Sequence, residues 1–303
     1  MLNKLHYFKS LYEKNILIDK ASEDLSRYEE AKNKIEQYFL QKESSYKVKK
    51  VGSPGRSSYS FLAVDSLNNA RFIKCSIPER NHVLALEKEF RILSKLYDYN
   101  LELIRLDGEI SFIMMDQLFP LENDFDYSSA GELISGFKDC LNSSEVLNLP
   151  STYDIGDLLI EAKDGLVSLY SHHAISQCCF QIINSLFDYL ETEFARLPRI
   201  LCHGDFGLAN CMTDKNGQIV LIDWEDAFLG TKNYDLCYWT TFMNHRNYYE
   251  NLLGTECRDR KYNTAVIVMI IVLKEYISFL NGQIRQNKTS CEERLEEVLE
   301  YLK

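Results

Sequence analysis

Two short segments of the chain hold the residues best suited to chemistry. Cys202-His203-Gly204-Asp205-Phe206-Gly207-Leu208-Ala209-Asn210 is followed by Leu221-Ile222-Asp223-Trp224-Glu225. Together they set an Asp, an Asn and a second Asp around a predicted β-hairpin. Its strands run over Cys211–Lys215 and Gln218–Ile222, and Asn216-Gly217 is a strong two-residue turn sequence. If that turn closes the hairpin, Asn210 lies opposite Asp223. Facing residues have Cβ atoms about 5 Å apart, close enough for an amide oxygen and a carboxylate to share one hard cation. A four-residue turn from Asp214 to Gly217 would place Asn210 opposite Leu221 instead. Asp205 precedes Asn210 in a glycine-containing loop suited to a catalytic base. This set of groups fits phosphoryl transfer, in which oxygen ligands hold Mg²⁺ and a carboxylate takes the proton of an acceptor hydroxyl.

HGDFGLAN followed by LIDWE resembles the catalytic and metal-binding segments of the aminoglycoside phosphotransferase and choline kinase group. The resemblance implies a protein-kinase-like fold, ATP and Mg²⁺ as cofactors, and the hydroxyl of a small molecule as acceptor. It also implies that Asp205 is the catalytic Asp and that Asn210 and Asp223 are the metal ligands. Gly230 to Trp239 is similar to the group's next element, in which an Asp, here Asp235, opens a helix. The loop reads HGD, as in aminoglycoside- and sugar-directed members, rather than the HND common in choline kinases. A sugar-like alcohol is therefore the expected acceptor, with choline or ethanolamine as the alternative. A nucleotide-binding pseudokinase is the rival from another class.

The surrounding elements must position these groups, and their order is that of an α+β chain. Residues 1–45 read as a helical N-terminal extension, with apolar residues at Leu5, Phe8, Tyr12, Ile35 and Phe39. Residues 46–118 read as a small antiparallel-sheet lobe and 119–303 as a mainly helical lobe. Strands over Lys47–Val51 and Ser60–Val64 flank Gly52 to Ser58, a turn whose backbone and serines could meet phosphates; Ser57 and Ser58 are the expected donors. Pro54 and a single GxxG spacing depart from the protein-kinase glycine-rich loop. Asn68-Asn69 makes a turn into Arg71–Cys75, where Lys74 lies among apolar neighbours at the position of the group's ATP-binding lysine. The helix over Asn81–Tyr97 offers Glu89 as its partner, with Glu87 as competitor. A hairpin around Asp107-Gly108 leads to Met114-Met115-Asp116-Gln117-Leu118, which resembles the hinge that bonds adenine, through Asp116 and Leu118. Glu122, Asp124 and Asp126 follow where a substrate cleft could begin.

The second lobe is expected to hold helices over Gly131–Leu141, Ile155–Tyr170, Ala174–Arg196, Asn233–Tyr248, Tyr262–Leu280 and Cys291–Leu302. The run Ala265 to Leu273 is too short to span a bilayer and reads as a buried helix, so no membrane insertion is expected. A net charge of −11 across 303 residues leaves no basic stripe for nucleic acid. Nine cysteines without a CxxC pair read as reduced thiols of a cytoplasmic protein. His172-His173 points to different helix faces and is assigned no role. His203 is expected to order the catalytic loop. Nothing in the sequence fixes the oligomeric state.

Overall fold

A computed structural model describes residues 17–51, 58–76, 80–97, 100–106, 110–121, 123, 125–141, 154–193, 196–243, 245–254, 258–280 and 289–303. The glycine- and serine-rich turn with Ser57, the Asp107-Gly108 turn, Glu122, Asp124 and the apolar residues Leu5, Phe8 and Tyr12 lie outside the described residues. The chain begins with helix α1 (Leu17–Gln41), then β1 (Lys47–Lys50), β2 (Ser58–Val64), β3 (Ala70–Ser76), α2 (Arg80–Leu96), β4 (Glu102–Leu106) and β5 (Ile110–Asp116). The strands form one antiparallel sheet in the order β1-β2-β3-β5-β4. Alternation along β2 buries Tyr59, Phe61 and Ala63 on one face. That face is covered by α1, whose Tyr28, Ala31, Ile35 and Phe39 recur at helical spacing as a single apolar stripe. The helix expected in the N-terminal segment is thus an integral layer of the sheet's core. Tyr28 also donates its hydroxyl to the Ser60 carbonyl at 2.7 Å, so the layer is pinned at a polar point.

The opposite face of the sheet holds α2. Register sets Lys74 of β3 between Ser60 of β2 and Ile113 of β5. Leu86 and Leu93 of α2 share a core with Ile113 and Met115, and this core continues into Leu201, Phe206, Leu221 and Trp224 of the second lobe. One continuous apolar cluster therefore joins the two halves. After β6 (Phe119–Pro120) come α3 (Tyr127–Leu141), α4 (Ile155–Ser171), α5 (Gln177–Glu193), β7 (Ile200–Cys202), β8 (Cys211–Thr213), β9 (Ile219–Leu221), β10 (Phe228–Gly230), α6 (Tyr234–Thr241), α7 (Arg258–Leu280) and α8 (Cys291–Glu300). β6 pairs with β8, and β7 with β10. α7 is long and apolar enough to cross a bilayer, yet 83% of its most apolar window is buried inside the protein. Ala265 to Leu273 form the centre of the second core, as the apolar run suggests.

Two local expectations are corrected. The β8–β9 pairing puts Cys211 opposite Leu221, and Ile222 N–H donates to the Asn210 carbonyl at 2.9 Å. Asn210 therefore lines up with Ile222, neither with Asp223 nor with Leu221. The cause is a three-residue connection between Asp214 and Gln218, whose Gly217 takes a left-handed φ of 79°. The Asp214 carboxylate accepts from Asn216 N–H and Gln218 N–H, each at 2.8 Å, and so fixes that turn. The helix expected over Asn233–Tyr248 ends at Thr241. Thr240 bonds back to the Leu236 carbonyl at 2.7 Å, and the Thr241 carbonyl is taken by Arg294 at 3.0 Å. Two consecutive β-branched threonines, one back-bonded, weaken a helix at that point. A 3₁₀ turn over Arg246–Tyr248 and a π-turn over Glu250–Gly254 follow.

The Arg294 side chain is 1% exposed and also pairs with Glu275 of α7. Removing one partner leaves a buried charge uncompensated, which costs about 3–5 kcal/mol. Arg294→Met is expected to lower unfolding stability by that order, measured by urea titration. Arg294→Met combined with Glu275→Leu should recover most of the loss.

Candidate active site

The catalytic segment is built by hydrogen bonds from outside it. β7 delivers His203, which is buried against Trp224 with ring centroids 4.6 Å apart. Its Nε2 meets the Ile222 carbonyl at 2.8 Å, and its Nδ1 accepts from Asp205 N–H at 3.2 Å. The tautomer with the proton on Nε2 satisfies both contacts. His203 thus ties the loop to the end of β9. Asp235, in the first turn of α6 and buried, accepts from His203 N–H at 3.2 Å and Gly204 N–H at 3.1 Å. Gly204 holds a φ of 87°, and a Cβ there would lie 2.4 Å from the Asp226 carbonyl oxygen. Only glycine fits that turn.

Asp205 emerges from this loop with both carboxylate oxygens engaged. Oδ1 accepts from the Tyr238 hydroxyl at 2.7 Å. Asn210, at the end of a single 3₁₀ turn, donates its amide to the Asp205 carbonyl at 2.8 Å and to Oδ2 at 3.2 Å. Burial pushes the Asp205 carboxyl above the usual carboxylate range; Lys274 and the Tyr238 hydroxyl pull the other way without cancelling it.

The second half of the site is a buried charge cluster. Lys74 Nζ lies 2.6 Å from Glu89 Oε2, 2.5 Å from Asp223 Oδ1 and 3.5 Å from Glu225 Oε2. Burial works against its charge, but Glu89, Glu225 and Asp223 outweigh it and hold the ammonium protonated well above its ordinary range. Burial likewise opposes the Asp223 carboxylate, and Lys74 overcomes it, holding the group below its ordinary value. The other Glu89 oxygen accepts from Asp223 N–H at 2.8 Å. Asp223 itself sits at φ 69° in the left-handed region, a conformation that costs a non-glycine residue about 1–3 kcal/mol. Its bonds to Lys74 and Glu89 hold it there. The neighbouring Lys88 donates to the Ala227 carbonyl at 2.7 Å, a second tether between α2 and the segment after Asp223. Glu87 pairs instead with Arg105 at 2.9 Å.

Glu89, Asp223 and Glu225 present carboxylate oxygens within 4.8 Å of one another, a hard donor set of the type divalent cations take. The Asn210 carbonyl accepts from Ile222 N–H at 2.9 Å, one residue before Asp223. Ser58 opens β2 opposite Ser76. Asp116 and Leu118 line a cavity of about 210 Å³ with Asn100 and the β8–β9 turn at Asp214 to Asn216. The exposed Asp126 carboxylate accepts from Ser129 N–H at 2.8 Å and caps α3.

Three residues near the site were not singled out from sequence. Glu225 could have been, as the acidic end of the DWE segment. Tyr238 lies one turn beyond Asp235 on α6, a spacing that sets two residues on one helix face. Lys274, at the end of the apolar run of α7, gave no local signal.

A phosphotransferase enzyme family model matches residues 154–261. A search of curated proteins finds no match. Solved structures similar to this chain include the aminoglycoside phosphotransferase APH(4)-Ia in ternary complex with AMP-PNP and hygromycin B, at TM-score 0.56 and 14% identity over 88% of this chain and 98% of that one. The GDP complex of aminoglycoside 2'-phosphotransferase-IIIa aligns at TM-score 0.57 and 15% identity, over 89% of this chain and 97% of that one. Spectinomycin phosphotransferase APH(9)-Ia with ADP and spectinomycin aligns at TM-score 0.50 and 13% identity, over 85% and 88%. In fold the chain resembles the aminoglycoside phosphotransferases, whose architecture is that of the protein kinases, and the stretch matched by the phosphotransferase family model contains both HGDFGLAN and LIDWE.

Proposed function

We propose that the protein is an ATP- and Mg²⁺-dependent phosphotransferase acting on a hydroxyl of a small molecule, in the sugar-like or aminoglycoside-like class. The observation that carries the reading is the buried Lys74 ammonium joined at once to Glu89 of α2 and Asp223 beyond β9, with Asp205 on the loop adjoining them. Lys74, held by Glu89, meets the α- and β-phosphates of ATP. The backbone at Asp116 and Leu118 meets the adenine, and Ser58, with Ser57 beyond the described residues, lies on the phosphate side. Asn210 and Asp223 are the metal ligands, and Glu225 is a third oxygen donor within reach of Asp223. Bound Mg²⁺ neutralises charge on the phosphates.

Asp205 takes the proton of the acceptor hydroxyl as the alcohol oxygen bonds the γ-phosphorus. The bond from phosphorus to the nucleoside diphosphate breaks, and the diphosphate leaves with that electron pair. The HGD order of the loop supports a sugar-like alcohol. Nucleotide complexes of the similar structures support the nucleotide assignment. Among the described residues every cysteine is a free thiol, which supports a reducing compartment such as the cytoplasm.

Asp205→Asn is expected to lower transfer by about 10²–10⁴-fold, the usual contribution of a general base, with nucleotide affinity close to wild type by calorimetry. The same variant should be more stable at pH 7. A carboxyl raised by burial makes the folded state bind protons more tightly than the unfolded one, so its ionisation at neutral pH costs stability. The gain in melting temperature should fade as the pH falls toward the ordinary Asp value of about 3.9. Wild-type turnover by Asp205→Asn would remove the base from its role.

Asp223→Ala addresses the metal. Nucleotide titrated with Mg²⁺ should bind far more weakly to this variant than to wild type. In EDTA the two proteins should differ little. Equal losses under both conditions would make Asp223 a structural residue only.

A further inference from the structure

Asp205 is held by a residue that neither sequence motif contains. Tyr238 reaches the loop from α6, the helix whose Asp235 already bonds the loop backbone at His203 and Gly204. Its hydroxyl donates to Oδ1 of Asp205 at 2.7 Å, while the Asn210 amide stands farther off, at 3.2 Å from Oδ2. The tyrosine ring is itself fixed on several sides. Phe242 stacks on it with centroids 4.8 Å apart and planes 12° apart, Tyr234 lies at 6.3 Å, and the Lys274 ammonium sits 4.9 Å from the ring centroid. A cation over an aromatic face is favourable, more so when desolvated, and Lys274 is buried. The phenol is buried as well, and burial together with the charge of Asp205 keeps it protonated well above its ordinary range. It is therefore a permanent donor.

We propose that Tyr238 is a positioning residue for phosphoryl transfer, holding Oδ1 of Asp205 so that Oδ2 is the oxygen presented to the acceptor hydroxyl. The assignment rests on the phosphotransferase reading of the site. A carboxylate free to turn about its terminal torsion samples a broad range; a short charge-assisted bond to one oxygen selects a single plane. The ring does not touch the reacting atoms. Its part is to fix the base, and Lys274 supports it by fixing the ring and placing a positive charge beside the carboxylate.

Tyr238→Phe removes one hydroxyl and leaves the stacked ring in place. In the full-length protein, with ATP and an acceptor turned over by wild type, kcat is expected to fall about tenfold to a hundredfold. That is the range for losing a hydrogen bond to a charged group. KM for ATP and the calorimetric Kd for nucleotide should stay near wild type. Lys274→Met should lower kcat in the same sense, and Lys274→Arg should restore part of it, because the arginine returns a cation to the ring face. A crystal structure of Tyr238→Phe should show the Asp205 carboxylate rotated from its wild-type plane. An unchanged kcat, or a carboxylate in its original plane, would overturn the proposal. So would a kcat loss matched by an equal loss of nucleotide affinity, which would mark the residue as structural. If wild type itself turns over no ATP with any alcohol, the phosphotransferase reading fails instead, and the carboxylate orientation in the variant still decides the role of Tyr238.

Discussion

The buried ammonium of Lys74 is the constraint on which the rest of the site depends. An ammonium removed from water must find carboxylates, because the desolvation of an unpaired charge exceeds what apolar packing around it returns. Lys74 lies in the middle of β3, with strands on either side. Its partners must come from across the sheet face: Glu89 from α2, Asp223 and Glu225 from beyond β9. Meeting that requirement fixes the angle of α2 and the closure of one lobe on the other. It also fixes Asp223 in a left-handed conformation that its own side chain does not favour. Buried ion pairs are poor sources of net stability compared with apolar residues of the same volume. Here the pair is kept beside a residue in the left-handed region, so the cluster is better understood as an organising constraint than as a source of stability.

The loop that carries Asp205 has a different anchor. Asp235 gathers two backbone N–H groups of the loop, His203 ties the same loop to Ile222, and Tyr238 holds Asp205. Two of these three supports come from a single turn of α6. That helix is short and leans on α7, whose central residues are buried on all sides. The large apolar helix does more than fill the core. It packs against α6, and just past its apolar run it brings Lys274 over the Tyr238 ring.

What was legible in the sequence follows from how local each constraint is. HGDFGLAN and LIDWE could be read because each is an unbroken stretch of sequence and a single hairpin, β8–β9, separates them. Lys74 and Glu89 could be paired because the family resemblance expects a lysine in that strand and a glutamate on the next helix; the inner-face spacing favoured Glu89 over Glu87, which pairs with Arg105 instead. The register of the β8–β9 hairpin could not be read. It depends on the Asp214 side chain bonding two N–H groups and on one residue in the left-handed region at Gly217, which together convert a two-residue turn into a three-residue one. The break after Thr241 was likewise hidden. It depends on Arg294, far along the chain, taking a carbonyl from the helix ladder. For Asp126 the sequence shows the charge, and the structure adds a local role: it accepts from Ser129 N–H at the start of α3, as an Asp before a first turn commonly does.

Tyr238 and Lys274 belong to a further category, since each contacts its target only because helices distant in sequence pack together. The charge cluster around Lys74 joins β3, α2 and the segment after β9, and the setting of Asp205 depends on the packing of α6 and α7. The two are coupled where His203 Nε2 meets the Ile222 carbonyl, one residue before Asp223. A change at Tyr238 or Lys274 bears first on Asp205, whereas a change in the charge cluster acts on both lobes at once. The contacts that set Asp205 therefore come from residues that are not contiguous in the chain, which is why no short motif contains them all.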